Sequence, residues 1–398
     1  MEITPIYQKP ILYSNFPVTT IDFWEDAVYA FDEKEYVESL TATFNYINRD
    51  ILEGVTIYEG MDAITYPHGS ADVKFKLQNG IFYIQSTFLK VPQKYKVPLL
   101  RKVAELNFTP LTLAQIVYSE EDGGILGFAY EMPIELVQPN KVFELVKEIC
   151  IFADEFDDEF IQKYGASFYH KPFISPLSDD EQNTVWEQFA AYLDDALSYI
   201  EYFEEKRWQG YIWDTIVNTL LELVDHAYIN GVLRTSIEDK IWFLRNDPNS
   251  DLERKVIVGK DFLQKLQKMP KEVVMKDVFL SKKFISTKLR TTTKSTFDFL
   301  DSQKAKINTD IESNNFINAY FGLKYAFLML MYTYNLEAQY WQVITDSLVR
   351  SSRTSWQNGT KILKETFDKF ISGDIDAELI AEFKRKPKKK GFFAKLFN

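Results

Sequence analysis

The sequence predicts an α+β protein, in which an N-terminal antiparallel sheet packed by helices is followed by an all-helical C-terminal domain. Three observations predict this class. Apolar and polar residues alternate around Asn79-Gly80, as they do in a β-hairpin. A helical stripe of large apolar residues runs from Val142 to Phe160. Beyond Pro176 the apolar residues recur at helical spacing almost everywhere, which indicates a change of architecture in the second half.

The first elements precede the hairpin. Residues 1–19 are predicted to be irregular because they contain three prolines. Residues 21–31 predict a short helix, and residues 55–66 predict a strand interrupted at Gly60. A second helix is predicted between them from apolar residues that share one side: Val37, Leu40, Phe44 and Ile47.

The stretch 72–89 gives the most specific structural prediction. A two-residue turn at Asn79-Gly80 fixes which residues of the two strands lie opposite each other. This register places the apolar residues of both strands on one face, and a shift by one residue would separate them. The predicted pairs are Leu77 with Phe82, Phe75 with Ile84, and Val73 with Ser86. The opposite face is predicted to be mixed, with Lys74, Lys76, Gln78, Ile81, Tyr83, Gln85 and Thr87.

A helix, two strands and a long helix are predicted next. Residues 97–106 show helical spacing, and Pro110 ends that helix. Residues 113–118 and 125–132 are rich in β-branched and aromatic residues and flank a glycine-containing turn, so they predict a second hairpin. The long helix then carries a run of acids, which we interpret as a solvated face: Asp154, Glu155, Asp157, Asp158 and Glu159.

Across residues 34–164 this order resembles the class I type III secretion chaperones and the related YbjN-like domains. The resemblance depends on the helix Leu99–Asn107, the strand around Ile116–Tyr118, the turn Glu121–Gly124 and the terminal helix from Val142. It implies the order α-β-β-β-α-β-β-α. It also implies a protein without an active site, often a homodimer, whose sheet and helix surfaces hold extended segments of client proteins.

The second half predicts helices. Ser178-Asp179-Asp180-Glu181 matches a capping box at the start of the first of them. The final part predicts two long helices, over 311–336 and 337–371. Between these regions, basic residues form a patch without acids that we interpret as a flexible loop, with contact to phosphate or an acidic partner as the alternative: Lys282, Lys283, Lys288, Arg290 and Lys294.

Composition narrows the functional classes. Of 398 residues 46% are hydrophobic, so a sizeable core is available, and the formal net charge of −12 argues against nucleic acid as the main partner. The single cysteine, Cys150, excludes an internal disulfide framework and favours a reducing compartment. The sequence shows no secretory signal, and the most apolar window, 325–334, is too short to span a bilayer. We therefore expect a cytoplasmic protein.

No motif predicts catalysis, a metal site or a cofactor. The three histidines, His68, His170 and His226, are far apart and show no metal-ligand spacing. The sequence alone does not exclude a Cys-His dyad that contains Cys150. We find no phosphate-binding glycine loop and no nucleophile elbow, so we expect no cofactor and no enzymatic activity.

The sequence ends in a basic and aromatic tail. Residues 384–398 contain seven Lys and Arg and no acid. Such a segment can lie at an anionic membrane surface, dock into a groove on another protein, or act only as a solubilising tail. The residues predicted to contact a membrane or a partner are Lys388, Lys389, Lys390, Phe392, Phe393 and Phe397.

Together these features predict a non-enzymatic chaperone or adaptor, with an α+β domain over 20–170, a helical domain over 171–373 and a flexible tail over 374–398. It would hold a client by adding it to a sheet edge or by covering the mixed hairpin face. Ile81, Tyr83 and Tyr130 are the predicted contact residues. The alternative is a structural scaffold of a bacterial membrane or secretion complex, recruited by the tail and peripheral at the inner membrane.

Overall fold

The computed structural model describes residues 2–12, 17, 20–53, 55–120, 123–291, 293–373 and 375. Its helices are α1 (Asp22–Asp32), α2 (Tyr36–Ile47), α3 (Lys96–Phe108), α4 (Pro139–Tyr164), α5 (Asp179–Glu205), α6 (Gln209–Asp225), α7 (Gly231–Asn246), α8 (Leu252–Gln267), α9 (Lys271–Val274), α10 (Thr293–Glu312), α11 (Phe316–Thr333), α12 (Ala338–Ser351) and α13 (Trp356–Ser372). Its strands are β1 (Ile64–His68), β2 (Ala71–Gln78), β3 (Ile81–Lys90), β4 (Gln115–Ser119), β5 (Ile125–Pro133), β6 (Ser167–Phe168), β7 (Ile174–Pro176) and β8 (Phe279–Ser281).

The predicted α+β class is confirmed. The main sheet is antiparallel with strand order β1-β2-β3-β5-β4, and β6 pairs with the end of β3. From α2 to α4 the chain runs helix, three strands, helix, two strands, helix, which is the predicted order. The second half is helical apart from β7 and β8, which form a short antiparallel ribbon.

The register of the first hairpin is also confirmed. Leu77 lies opposite Phe82, Phe75 opposite Ile84, and Val73 opposite Ser86. The turn residues Asn79 and Gly80 have φ angles of 55° and 70°, which is the left-handed conformation that an Asn-Gly hairpin turn requires. The turn chemistry and the hydrophobic alternation therefore specify the same pairing.

Helices α2 and α4 cover one face of the sheet. The Phe44 ring of α2 stacks on Phe75 of β2 with the ring centroids 4.1 Å apart. Phe160 of α4 packs against Phe88 of β3, with the centroids 6.4 Å apart. These rings belong to one cluster of buried side chains, the sheet core, which extends from Trp24 of α1 to the helix α4. Neither α2 nor α4 covers the other face of the sheet.

A second cluster of buried side chains holds the helical part together. The predicted capping box at its start is confirmed, because Ser178 and Glu181 exchange side-chain to backbone hydrogen bonds at the beginning of α5. Of the two long helices predicted near the end, 311–336 corresponds to α11, whereas 337–371 is divided into α12 and α13. The chain turns between α12 and α13 at Arg353, where φ is 58°, and before α11 at Asn314, where φ is 59°.

Two segments without regular structure cross between these regions. Residues 2–12 lie against the helical part, where Tyr7 and Leu12 enter its core. Phe284 and Ile285, from the basic stretch predicted to be a flexible loop, are instead buried in the sheet core. The flexible-loop prediction is wrong because these two apolar side chains anchor the stretch in the core, and the Arg290 guanidinium carbon lies 3.8 Å from the centroid of the Trp24 ring.

One member of the acidic run on α4 also differs from its prediction. Asp157, predicted to be solvated, is buried and accepts a hydrogen bond from the Ser70 hydroxyl. The side chains of Asp154, Glu155 and Asp158 lie outside the described part of the structure.

Candidate functional site

The face of the main sheet opposite α2 and α4 is the candidate binding surface, which we call the open face. Register determines its membership, because residues directly opposite each other point to the same side. Lys76 of β2, Tyr83 of β3 and Glu131 of β5 form one such row, and Gln78, Ile81 and Pro133 form the next. Further residues on this face are solvent-exposed: Thr65, Lys74, Gln85, Gln115 and Val117. The mixed character predicted for the hairpin face thus extends across five strands.

Tyr83 is the main aromatic side chain of the open face. It is half-buried, and the Lys76 ammonium lies 5.0 Å from the centroid of its ring. A cation over an aromatic ring contributes about 0.5–1 kcal/mol at an exposed site, so Lys76 helps to fix the ring on the surface. A neighbouring depression of about 340 Å³ is lined by Tyr83, Lys74 and residues 60–63. The ring is therefore held beside a recess that a partner side chain can enter.

The recess has a wall that the sequence did not predict. The segment before β1 folds back over the hairpin turn, where the Glu59 carboxylate accepts hydrogen bonds from the backbone N–H groups of Asn79 and Gly80. The Gly60 N–H donates to the Leu77 carbonyl at 2.9 Å. Residues 55–63 were predicted to be part of an interrupted strand, and the observed strand β1 begins only at Ile64. A carboxylate 20 residues before Asn79 gives no sequence signal of this contact.

Tyr130 does not share the open face with Ile81 and Tyr83. It lies opposite Ile84, which is fully buried in the sheet core, so the register places Tyr130 on the helix-covered side. Its ring packs against that core, with the Lys141 ammonium of α4 5.5 Å from the ring centroid. The register therefore separates Tyr130 from Ile81 and Tyr83, and contact of Tyr130 with a partner stays a prediction.

The edges of the sheet are partly blocked. At the β4 edge the Asn107 side chain donates to the Ile116 carbonyl at 2.8 Å and accepts from the Ile116 N–H at 2.7 Å. At the β1 edge the chain contains Pro67, and the His68 Nδ1 accepts from the Phe284 N–H at 2.9 Å. An incoming strand would have to displace these contacts, since edge backbone groups that are already bonded cannot template a new strand. The open face is therefore the better candidate for holding a polypeptide.

The tail residues predicted to contact a membrane or a partner fall outside the described part of the chain, which ends at residue 375. These are Lys388, Lys389, Lys390, Phe392, Phe393 and Phe397. Among the described helices, none is both long enough and apolar enough to cross a bilayer.

The contacts of His226, His170 and Cys150 are with other side chains of the fold. His226 contacts the Tyr228 hydroxyl in the helical core, and burial lowers its pKa to about 3, so it is neutral at physiological pH. His170 lies 3.6 Å from the Asp72 carboxylate, and Cys150 is buried in the sheet core. In the described residues no group of three or more His, Cys, Asp or Glu side chains is arranged to hold a metal ion.

A buried ion pair lies inside the helical part. The Lys324 ammonium of α11 lies 2.6 Å from the Glu222 carboxylate of α6, and both side chains are at most 3% exposed. Burial raises the pKa of Glu222 to about 7, although Lys324 opposes that rise. The adjoining cavity measures only about 10 Å³, which is the room that one water molecule needs. This cavity is too small for a substrate, so the pair has a structural role.

The structure thus defines an α+β protein whose mixed sheet face is exposed and whose Lys324–Glu222 ion pair is enclosed in the helical core. No protein-family model, curated protein or solved structure matches this chain. The functional argument therefore depends on the geometry of the surface itself.

Proposed function

We propose that the protein is a non-enzymatic adaptor or chaperone that holds a segment of a partner polypeptide on the open face. The observation that carries the proposal is the exposed row at Tyr83, where an aromatic ring beside a recess is flanked by lysines and by the exposed Glu131. Tyrosine is enriched among the residues that dominate protein interfaces. The resemblance of residues 34–164 to secretion chaperones agrees with this role. A second copy of the chain is one of the polypeptides that the open face can hold.

Replacing Tyr83 with Asp is expected to weaken capture of the partner about 10-fold or more, because an interface tyrosine contributes about 2 kcal/mol or more to binding. The free energy of unfolding should change by no more than about 0.5 kcal/mol, as is usual at surface positions. The measurement is affinity capture from the native host, with quantification of the bound polypeptides, alongside urea denaturation of the purified variants.

Gln85→Asp is the matched control for that experiment. Gln85 is exposed on the same face and the same strand, and its replacement introduces the same charge without removing a ring. Equal losses of capture in the two variants would assign the effect to charge alone. A combined loss of capture and stability in Tyr83→Asp would mean that Tyr83 supports the fold, and the proposal would then fail.

The second candidate function is a structural scaffold of a bacterial membrane or secretion complex, recruited through residues 384–398. The seven basic residues of this segment favour it, because each basic residue near an anionic membrane surface contributes about 1 kcal/mol. In this function the protein would be cytoplasmic and peripheral at the inner membrane.

Deletion of residues 384–398 should release the protein from membranes and reduce the size of its complex. Unchanged fractionation and unchanged complex size would remove the scaffold function.

A further inference from the structure

A large cleft lies where the sheet region meets the helical region, which we call the central cleft. Gly69, Ser70 and Asp157 line it from the sheet side, and the start of α7 and Tyr332 line it from the helical side. Its volume is about 860 Å³. Pockets for small molecules measure about 300–1,000 Å³ and occur preferentially at such junctions.

Basic side chains dominate the chemistry of this cleft. Four of them line it: Arg234, Arg245, Lys283 and Lys288. The three acids that also line it are engaged within the protein. Asp157 accepts from the Ser70 hydroxyl, Asp277 accepts from the Leu233 N–H at 2.8 Å, and Glu238 pairs with Arg234 at 2.9 Å. Four cations and three acids give the lining a formal charge of +1, in a chain whose net charge is −12.

The cations are held in place before any ligand arrives. Arg234 donates from Nε to Glu238, and from one terminal nitrogen to the carbonyls of Val224 and Ile229 at 3.1 and 3.3 Å. Arg245 donates from Nε to the Tyr325 hydroxyl at 3.0 Å. Groups that are already ordered lose little entropy on binding, so such a site is preorganised.

Lys288 joins these guanidinium groups in the cleft. Its ammonium donates to the Met331 carbonyl at 2.6 Å. Burial lowers the pKa of Lys288 to about 8, Asp225 and Glu238 oppose that change, and Arg234 lowers it further. The same charged groups affect the pKa of Tyr332. Burial and Glu238 raise this pKa, whereas Arg234 and Arg245 lower it. Burial thus removes water from the Lys288 ammonium beside Arg234, and an anion bound between these groups would stabilise both charges.

We propose that the central cleft binds a small molecule with an anionic group, a phosphate or a carboxylate, which Lys288, Arg234 and Arg245 contact. Charge-assisted hydrogen bonds from guanidinium and ammonium groups are the strongest protein contacts for such anions. Phe168, Ile174 and Phe279 also line the cleft and provide an apolar surface for the rest of the molecule. The central cleft is separate from the open face. The proposal for the cleft can therefore be tested independently of the adaptor function.

Pyridoxal 5′-phosphate is a suitable probe, because it carries both a phosphate and an aldehyde. The aldehyde condenses with a neutral lysine amine to form an imine and releases water. Borohydride then delivers a hydride to the imine carbon and solvent delivers a proton to nitrogen, which leaves a stable secondary amine. Peptide mapping by mass spectrometry locates the modified lysines. The matched control reagent is 5′-deoxypyridoxal, which has no phosphate and lacks the hydroxyl that masks the aldehyde of pyridoxal as an internal hemiacetal.

At pH 7.5 we expect Lys288 to be labelled about 10-fold or more by pyridoxal 5′-phosphate relative to 5′-deoxypyridoxal, since one charge-assisted hydrogen bond contributes about 1.5–3 kcal/mol. Inorganic phosphate should suppress this labelling, whereas chloride at equal ionic strength should not. Acetate in place of phosphate distinguishes a carboxylate site from a phosphate site. Arg245→Gln should reduce the preference for the phosphate-bearing reagent without changing labelling by 5′-deoxypyridoxal.

Labelling spread over exposed lysines, or equal labelling of Lys288 by the two reagents, would overturn the proposal. Failure of both inorganic phosphate and acetate to compete in the wild-type protein would overturn it as well, and that measurement requires no variant. Loss of labelling in Arg245→Gln is interpreted only where its urea denaturation midpoint matches the wild type. Where it does not, phosphate competition in the wild type decides the outcome.

Discussion

Replacing Lys324 with Met is expected to destabilise the protein by about 3–5 kcal/mol, because it leaves the Glu222 carboxylate buried without its counter-charge. The two charged groups lie 2.6 Å apart and are almost completely excluded from water. Methionine retains most of the length of the lysine side chain, so lost packing contributes little to the change. The measurement is the free energy of unfolding in urea, compared with that of the wild-type protein.

Two further variants isolate the electrostatic cause. The double variant Lys324→Met with Glu222→Gln should recover most of the lost stability, because it removes the uncompensated charge. Lys304→Met is the surface control, since Lys304 lies 3.9 Å from Asp301 and both side chains are more than 40% exposed. Its effect should stay below about 1 kcal/mol. A single-variant loss as small as this control, or a double variant no more stable than the single variant, would contradict the account.

The loss in Lys324→Met should also depend on pH. The pKa of Glu222 is raised from 4.5 to about 7 in the folded protein, and removing Lys324 takes away the group that opposes this rise. A folded state with the higher pKa binds more protons than the unfolded state, so its stability falls as pH increases through that window. The variant should therefore lose more stability at about pH 8 than at about pH 5. An equal loss at both pH values would exclude Glu222 as the cause.

The second large effect is expected for Phe284→Ala, which should cost about 3–5 kcal/mol, as large-to-small changes of buried aromatic residues do. Phe284 is fully buried, and its ring lies 6.2 Å from Phe44, 5.8 Å from Tyr66 and 6.5 Å from Phe75. The measurement is again urea denaturation. The result matters for the fold because this ring comes from the second half of the chain and completes the core of the first.

Thr287→Ala is the matched control for Phe284→Ala. Thr287 is exposed and lies three residues further along the same segment, so its replacement should change stability by no more than about 0.5 kcal/mol. Similar small effects of both variants would mean that the segment is a loosely packed loop, as its basic residues predict. A large effect of Phe284→Ala alone supports its assignment to the sheet core.

The parts of the fold that local chemistry determines could be predicted from the sequence. The Asn79-Gly80 turn fixed the hairpin register, and Ser178 with Glu181 fixed the start of α5. The division of 337–371 into α12 and α13 was missed because Arg353 adopts a positive φ angle without a glycine or proline beside it. The start of α13 does carry a local signal, because the Ser355 side chain accepts a hydrogen bond from the Asn358 N–H.

The same division applies to the candidate site. Tyr83 and Ile81 could be placed on one face because both belong to the hairpin with a defined turn. Tyr130 could not, since its orientation depends on how β5 pairs with β3, and that pairing joins strands separated by the helix α3. The contacts of Asn107 at the β4 edge could not be predicted either, because a helical asparagine gives no indication of the strand it will bond.

Photocrosslinking from position 83 tests most directly whether the open face holds a polypeptide. p-Benzoylphenylalanine would replace Tyr83, and in a control protein it would replace Trp242, an aromatic residue that is 61% exposed on α7 in the helical part. Irradiation in cells of the native host should produce a defined crosslinked polypeptide from position 83 that is absent from position 242. No crosslinked polypeptide from position 83, or the same products from both positions, would contradict the account.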